Sequence, residues 1–149
     1  MKKTDQIKER LKGHLDMLEK LATTKLEIQH LYGSLSSPNF SGMPGGSGGK
    51  KTSEEERLYQ RKEELEKKAE KQQEKIDRDW AELEPFVEQL KPIETLIMNL
   101  RYRYGDEWED VCRAIFGRRS DYDVEIDRYM NKMFKAHGRA LLELAEKIS

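Results

Sequence analysis

Apolar residues in the charged stretches of this chain recur at steps of three and four, the period of a helix that buries one narrow stripe. From Asp5 to about Leu31 the stripe is Ile7, Leu11, Leu15, Leu18, Ala22 and Leu26, flanked by Lys and Glu. Gly13 weakens this helix without ending it. A second stripe follows Ser53 and Glu56, whose spacing is that of a capping box and marks a helix start. It runs through Leu58, Leu65, Ala69, Gln72, Ile76, Trp80 and Leu83. Pro85 is expected to kink or break that helix, because proline removes a backbone donor and clashes one turn back. Charged residues make up 38% and hydrophobic residues 36%, too little apolar material for one compact globule but enough for helices that share seams. The expected fold is all-α, a long charged helical hairpin or coiled coil followed by a small C-terminal helix-turn-helix bundle. The two long stripes can pair within one chain, or between chains as a homodimer, using the same seams.

The chain divides into an amphipathic helix (1–32), a flexible linker (33–52), a long charged helix (53–90) and a C-terminal domain (92–149). Glycine, serine and proline dominate the linker, so it buries little to offset its ordering entropy. Its Leu35, Phe40 and Met43 exceed what a plain spacer needs and leave a docking role open. The tract is not a phosphate loop, since Lys50 is followed by Lys51 rather than Ser or Thr.

No cofactor, metal or catalytic site is expected. Cys112 is the only cysteine, which excludes an internal disulfide and a cysteine-cluster zinc site. It is expected to be a small buried hydrophobe. His14 and His30 are far from any ligand cluster, and His137 falls on an apolar face as a core histidine. Trp80 and Trp108 are expected as packing anchors. Arg101, Tyr102 and Arg103 form a mixed aromatic and basic patch, either a nucleic-acid contact or a helix end exposing arginine stems. No apolar run approaches the ~20 residues needed to span a bilayer, and no signal peptide is visible, so the expected location is the cytoplasm, or the nucleus in a host that has one.

After Pro92, Ile93, Leu96, Ile97, Leu100 and Tyr104 share one helical face that ends at Gly105, suited to a left-handed cap. Asp106, with Glu109, is expected to cap the next helix, which buries Trp108, Val111, Cys112 and Ile115 and stops at Gly117. A polar turn, RRSDYD, leads to a last helix from about Val124 to Lys147. There Ile126, Met130, Met133, His137, Leu141, Leu144 and Ile148 form the expected core face. Arg128, Lys132, Lys135 and Arg139 line up opposite, with Asn131 alongside. Lys plus Arg (28) nearly cancels Asp plus Glu (29), so attraction to DNA must come from local placement of this kind. Arg118 and Arg119 would extend the basic surface, while Asp121, Asp123, Glu125 and Asp127 crowd the helix start, suiting its dipole but repelling phosphates.

The sequence LRYRYGDEWEDVCRAIFG followed by YMNKMFKAHGRALLEL resembles the RinA/ArpU-like transcriptional activators of phages of Gram-positive bacteria, whose C-terminal part is similar to the promoter-binding helix-turn-helix of sigma factors. SLSSPNFSGMPGG resembles a linker in related phage proteins. The resemblance covers about 33–50 and 93–147. It implies a cytoplasmic activator that binds duplex DNA near a promoter and helps host RNA polymerase engage late genes. It also implies that 108–116 is the first helix of the motif and that 122–135 holds groove-facing residues. Tyr122 is one of these, and Arg128, Asn131 and Lys132 are the base or phosphate contacts. The turn from Gly117 to Asp123 departs from the family pattern in length. Two alternatives stay open: a coiled-coil assembly or adaptor protein, such as a phage packaging component, and a polymerase-binding regulator that does not touch DNA.

Overall fold

The periodicity is realised as helix throughout. A computed structural model describes the backbone of residues 2–35 and 48–148, and the side chains of 2–34 and 53–148. Among these the helices are α1 (Lys3–Leu35), α2 (Gly48–Val87), α3 (Pro92–Met98), α4 (Trp108–Phe116) and α5 (Ile126–Ile148). Most of the expected linker, with Phe40 and Met43, lies outside the described residues, as does the Leu35 side chain. Both ends of that stretch are helical instead, since α1 continues through Gly33 to Leu35 and 48–52 belong to α2. Two sequence boundaries shift. Helix α2 begins at Gly48, so Ser53 lies inside it rather than capping it, and it continues past Pro85 to Val87. Proline sits so close to the C-terminus that helix termination, not a mid-helix kink, follows its lost donor.

The chain forms two compact units, Met17–Asp77 and Met1–Asp16 with Arg78–Ser149, a division that falls within the long helices. In the Met17–Asp77 unit the two helical segments pair within the chain. Leu21 and Thr24 of α1 and Leu65 and Ile76 of α2 are buried. Ala22 is exposed and Leu26 is 65% exposed, so the buried stripe departs from the expected one. A seam between two helices favours steps averaging about 3.5, whereas Leu15, Leu18, Ala22 and Leu26 follow at three, four and four and so drift away from it around the helix. Thr24, placed in the seam, satisfies its hydroxyl by donating to the carbonyl of Lys20 at 3.1 Å.

The other unit carries two apolar clusters. In the first, Ile7 and Leu11 pack with Trp80, Leu83 and Val87 of α2 and with Ala140, Leu141 and Leu144 of α5. Beside it, fully buried His14 holds the Asp79 carboxylate through Nδ1 at 2.7 Å, and Arg10 reaches Asp79 (3.3 Å) and Glu82 (2.7 Å). In the second, Val111, Cys112 and Phe116 of α4 meet Tyr129, Met133 and Ala136 of α5 across Ile97.

Helix α3 runs into a π turn, Asn99–Arg103, in which the Tyr104 N–H reaches back to Asn99 at 3.0 Å. One extra residue in a turn sets every following side chain back around the axis. Tyr102 is therefore buried in place of the expected Tyr104, which is 65% exposed, and the Arg101–Tyr102–Arg103 patch is broken up. Arg101 lies over the Trp108 ring at 4.8 Å, and Arg103 approaches Glu84 at 3.6 Å. Gly105 closes the segment with φ 74°, the left-handed conformation expected of it.

Buried Tyr102 meets half-buried His137, with Oη 2.8 Å from Nε2. Burial, helped by the nearby charges of Arg101 and Lys8, lowers the His137 pKa from 6.5 to about 4. Burial also pushes the Tyr102 phenol up to about 12. The hydroxyl thus keeps its proton and donates it to a neutral imidazole. Between pH 6.5 and 4 the unfolded chain takes up a proton that the folded chain refuses, so this pair stabilises the fold above pH 6.5 and the contribution is lost as pH falls towards 4. Denaturant titrations should show a loss on the order of 1–2 kcal/mol across that window, allowing for partial solvent screening. The His137→Gln variant should lose correspondingly less; equal losses in the two proteins would refute the assignment.

Candidate nucleic-acid interface

The candidate surface comprises the C-terminus of α4, the turn after it and the first four turns of α5. Helix α4 occupies the expected residues, but its cap differs. Glu107, extended at φ −67° and ψ 154°, precedes the first turn without a side-chain cap bond, so Asp106 does not play that role. Glu109 and Asp110 in the first turn still complement the helix dipole. The helix ends where the Gly117 N–H bonds to the Arg113 carbonyl at 2.7 Å. The Gly117 backbone approaches that oxygen so closely that a Cβ would stand 2.3 Å from it. Glycine is needed here for space, since its φ of −61° suits any residue.

Beyond Gly117 the chain makes successive tight turns, with the N–H groups of Arg119, Tyr122 and Val124 bonding to the carbonyls of Phe116, Arg119 and Asp121. These fold the Tyr122 side chain inward. It is buried and stacks against Tyr129 at 5.9 Å, so it is a core residue and not the groove-facing contact expected from the resemblance. Helix α5 starts at Ile126, slightly later than expected.

The buried face of α5 is rotated from the expected one. Tyr129, Met133, Ala136, Ala140, Leu141, Leu144 and Ala145 are buried, while Ile126 is 42% exposed. Small alanines let the helix lie close against its neighbours, and Ile126 and Met130 move to the flank. The rotation leaves the cations outside. Arg118, Arg119, Arg128, Asn131, Lys132, Lys135 and Arg139 are all exposed. Arg128, Lys132, Lys135 and Arg139 form one continuous stripe and make no ion pair among the described residues.

Three cations converge on an aromatic platform that sequence reasoning missed. Phe116 stacks on Tyr129 with centroids 5.0 Å apart and planes inclined by 25°. Arg119 lies 6.0 and 5.9 Å from the two rings, Arg128 lies 5.6 Å from Tyr129, and Lys132 lies 5.7 Å from Phe116. Ring faces hold cations at such distances, which fixes the stems while leaving the charged heads in water. The Tyr129 hydroxyl donates to Asp121 at 2.5 Å. That bond, with Arg128 and Arg119 nearby, holds the Asp121 carboxyl below its ordinary pKa. Asp121 is therefore an anion inside the basic surface, offsetting part of its charge. The missed signal was the stripe Tyr129, Met133, Ala136, Ala140 and Leu144, whose alanines weigh less in an apolar count than Ile126 and Met130.

Cys112 is buried and free, and no group of His, Cys, Asp or Glu among the described residues is arranged to hold a metal ion. No helix of the described residues is long and apolar enough to cross a membrane. No protein-family model matches the chain, and no curated protein and no solved structure is significantly similar to it.

Gly117→Ala is expected to lower stability by about 1–3 kcal/mol, because the new methyl must displace backbone. A thermal melt checks this, and an unchanged midpoint would show that the turn yields freely.

Proposed function

We propose that this chain is a cytoplasmic transcriptional regulator, not an enzyme, that binds duplex DNA through α4, the following turn and α5. The supporting observation is the stripe Arg128, Lys132, Lys135 and Arg139, without an ion pair among the described residues and exposed along the helix whose opposite face is packed onto the core. An α-helix fits the major groove of B-DNA, and cations along its outer face meet the flanking phosphates. In this reading Asn131, among the cations, is a base-edge donor and acceptor, while Arg118 and Arg119 extend the phosphate contacts from the turn. The resemblance to phage activators with a sigma-like helix-turn-helix agrees in residue order, and late-gene activation with host RNA polymerase is the role it suggests.

A second reading, docking onto polymerase without DNA contact, draws support from Val124 (86% exposed), Ile126 and Phe134, apolar residues left in solvent beside the cations. Charge reversal separates the two. Arg128→Glu with Lys132→Glu should weaken binding to promoter-proximal duplex at least about tenfold near 0.1 M salt, and reduce the slope of log affinity against log salt by about 2. Circular dichroism should show unchanged helicity, since both side chains are exposed. Wild-type affinity and slope in a folded double variant would overturn the DNA-binding assignment.

A further inference from the structure

The Met17–Asp77 unit carries a charge pattern that the α5 interface does not use. On α2, Lys67, Lys68, Lys71 and Lys75 are exposed and fall within an arc of about 100°. Glu63, Glu66, Glu70 and Glu74 fill the adjoining arc of about 80°. Nearby, Arg61 pairs with Glu27 and Glu64 at 3.5 and 3.6 Å, and Lys62 pairs with Glu66 at 3.7 Å. The four lysines have no ion pair among the described residues. Lys67, Lys71 and Lys75 also follow one another at four-residue spacing, where like charges repel and weaken a helix. Glu64, the one acidic residue of 63–75 inside the lysine arc, is held by Arg61 at 3.6 Å, so the edge keeps a net positive charge that favours an external anion.

We propose that this lysine edge is a second, sequence-independent DNA contact that tracks the phosphate backbone. The lysines line a shallow concavity of about 450 Å³, completed by Glu64 and Gln72. Its lining has no aromatic ring on which an unpaired base could stack and no apolar side chain to enter a lipid interface. Lysine supplies point charges and lacks the planar fork that reads guanine, which suits phosphates rather than base edges. From Lys67 to Lys75 the edge is about 12 Å long, at 1.5 Å per residue. Over that length one strand of B-DNA presents three or four phosphates, at about 3.4 Å each along the axis. The inference goes beyond the α5 reading and stands on different residues.

The test measures binding of the full chain to a fluorescent duplex of unrelated sequence over a salt series. Each phosphate neutralised contributes about 0.9 to the slope of log affinity against log salt. K68Q/K71Q/K75Q should lower that slope by about 2–3 and weaken binding at least about tenfold near 0.1 M salt. K12Q/K20Q/K25Q, which removes the same charge from exposed positions scattered around α1, should leave the slope near the wild-type value. An equal loss in both variants would reduce the effect to net charge and overturn the proposal, as would no loss in the first. Tighter binding to polyglutamate than to the duplex would replace DNA with an acidic protein. R128E/K132E measured alongside keeps the two readings separate. Loss confined to that variant leaves α5 standing and removes α2, while loss confined to K68Q/K71Q/K75Q does the reverse.

Discussion

One face of α5 supports the whole C-terminal unit. Its first half, through Tyr129, Met133 and Ala136, closes the cluster around α4, and its second half, through Ala140, Leu141 and Leu144, closes the cluster around α1 and α2. A single rigid helix cannot satisfy both clusters at more than one rotation about its axis. That rotation decides which side chains face water. With alanine at 136, 140 and 145, close approach of the backbones substitutes for bulk, and the helix settles with Tyr129 inward and Ile126 on the flank.

The consequence for charge is direct. A chain with 28 basic and 29 acidic side chains has no useful overall field, so any affinity for a polyanion must come from segregation. Segregation is found on α5, where four cations have no ion pair among the described residues, and again on α2, where four lysines share an edge with Glu64 as its one acidic member and the other nearby glutamates adjoin it. Three cations are also braced, because Phe116 and Tyr129 present ring faces to Arg119 of the turn and to Arg128 and Lys132 of α5. Bracing long side chains on rings reduces the entropy that a phosphate contact would otherwise cost. Asp121 works against this. Held as an anion by Tyr129, it tempers the cations of the turn and the start of α5.

Some of this was legible without coordinates. The extent of α4, the left-handed Gly105, the burial of Cys112 and the exposure of Arg128, Lys132, Lys135 and Arg139 all follow from spacing and local chemistry. The misreadings share a cause. Spacing at a fixed 100° per residue puts Tyr104, Leu26 and Ile126 inside, yet all three are exposed. A π turn, a seam period nearer 3.5 and an alanine-lined contact each rotate the helix away from that extrapolation.

By itself, then, the sequence determined that this chain would be helical, that its helices would be narrow-seamed and charged, and that cations would gather late in the chain. Those properties depend on residues three and four apart, which a linear text records. The tertiary structure alone decided that Tyr122 turns inward, that Phe116 and Tyr129 stack beneath three cations, and that Gly117 has no room for a methyl group. Each of these depends on where separate segments meet, and contact between segments follows from the rotation and approach of whole helices, which no local spacing encodes.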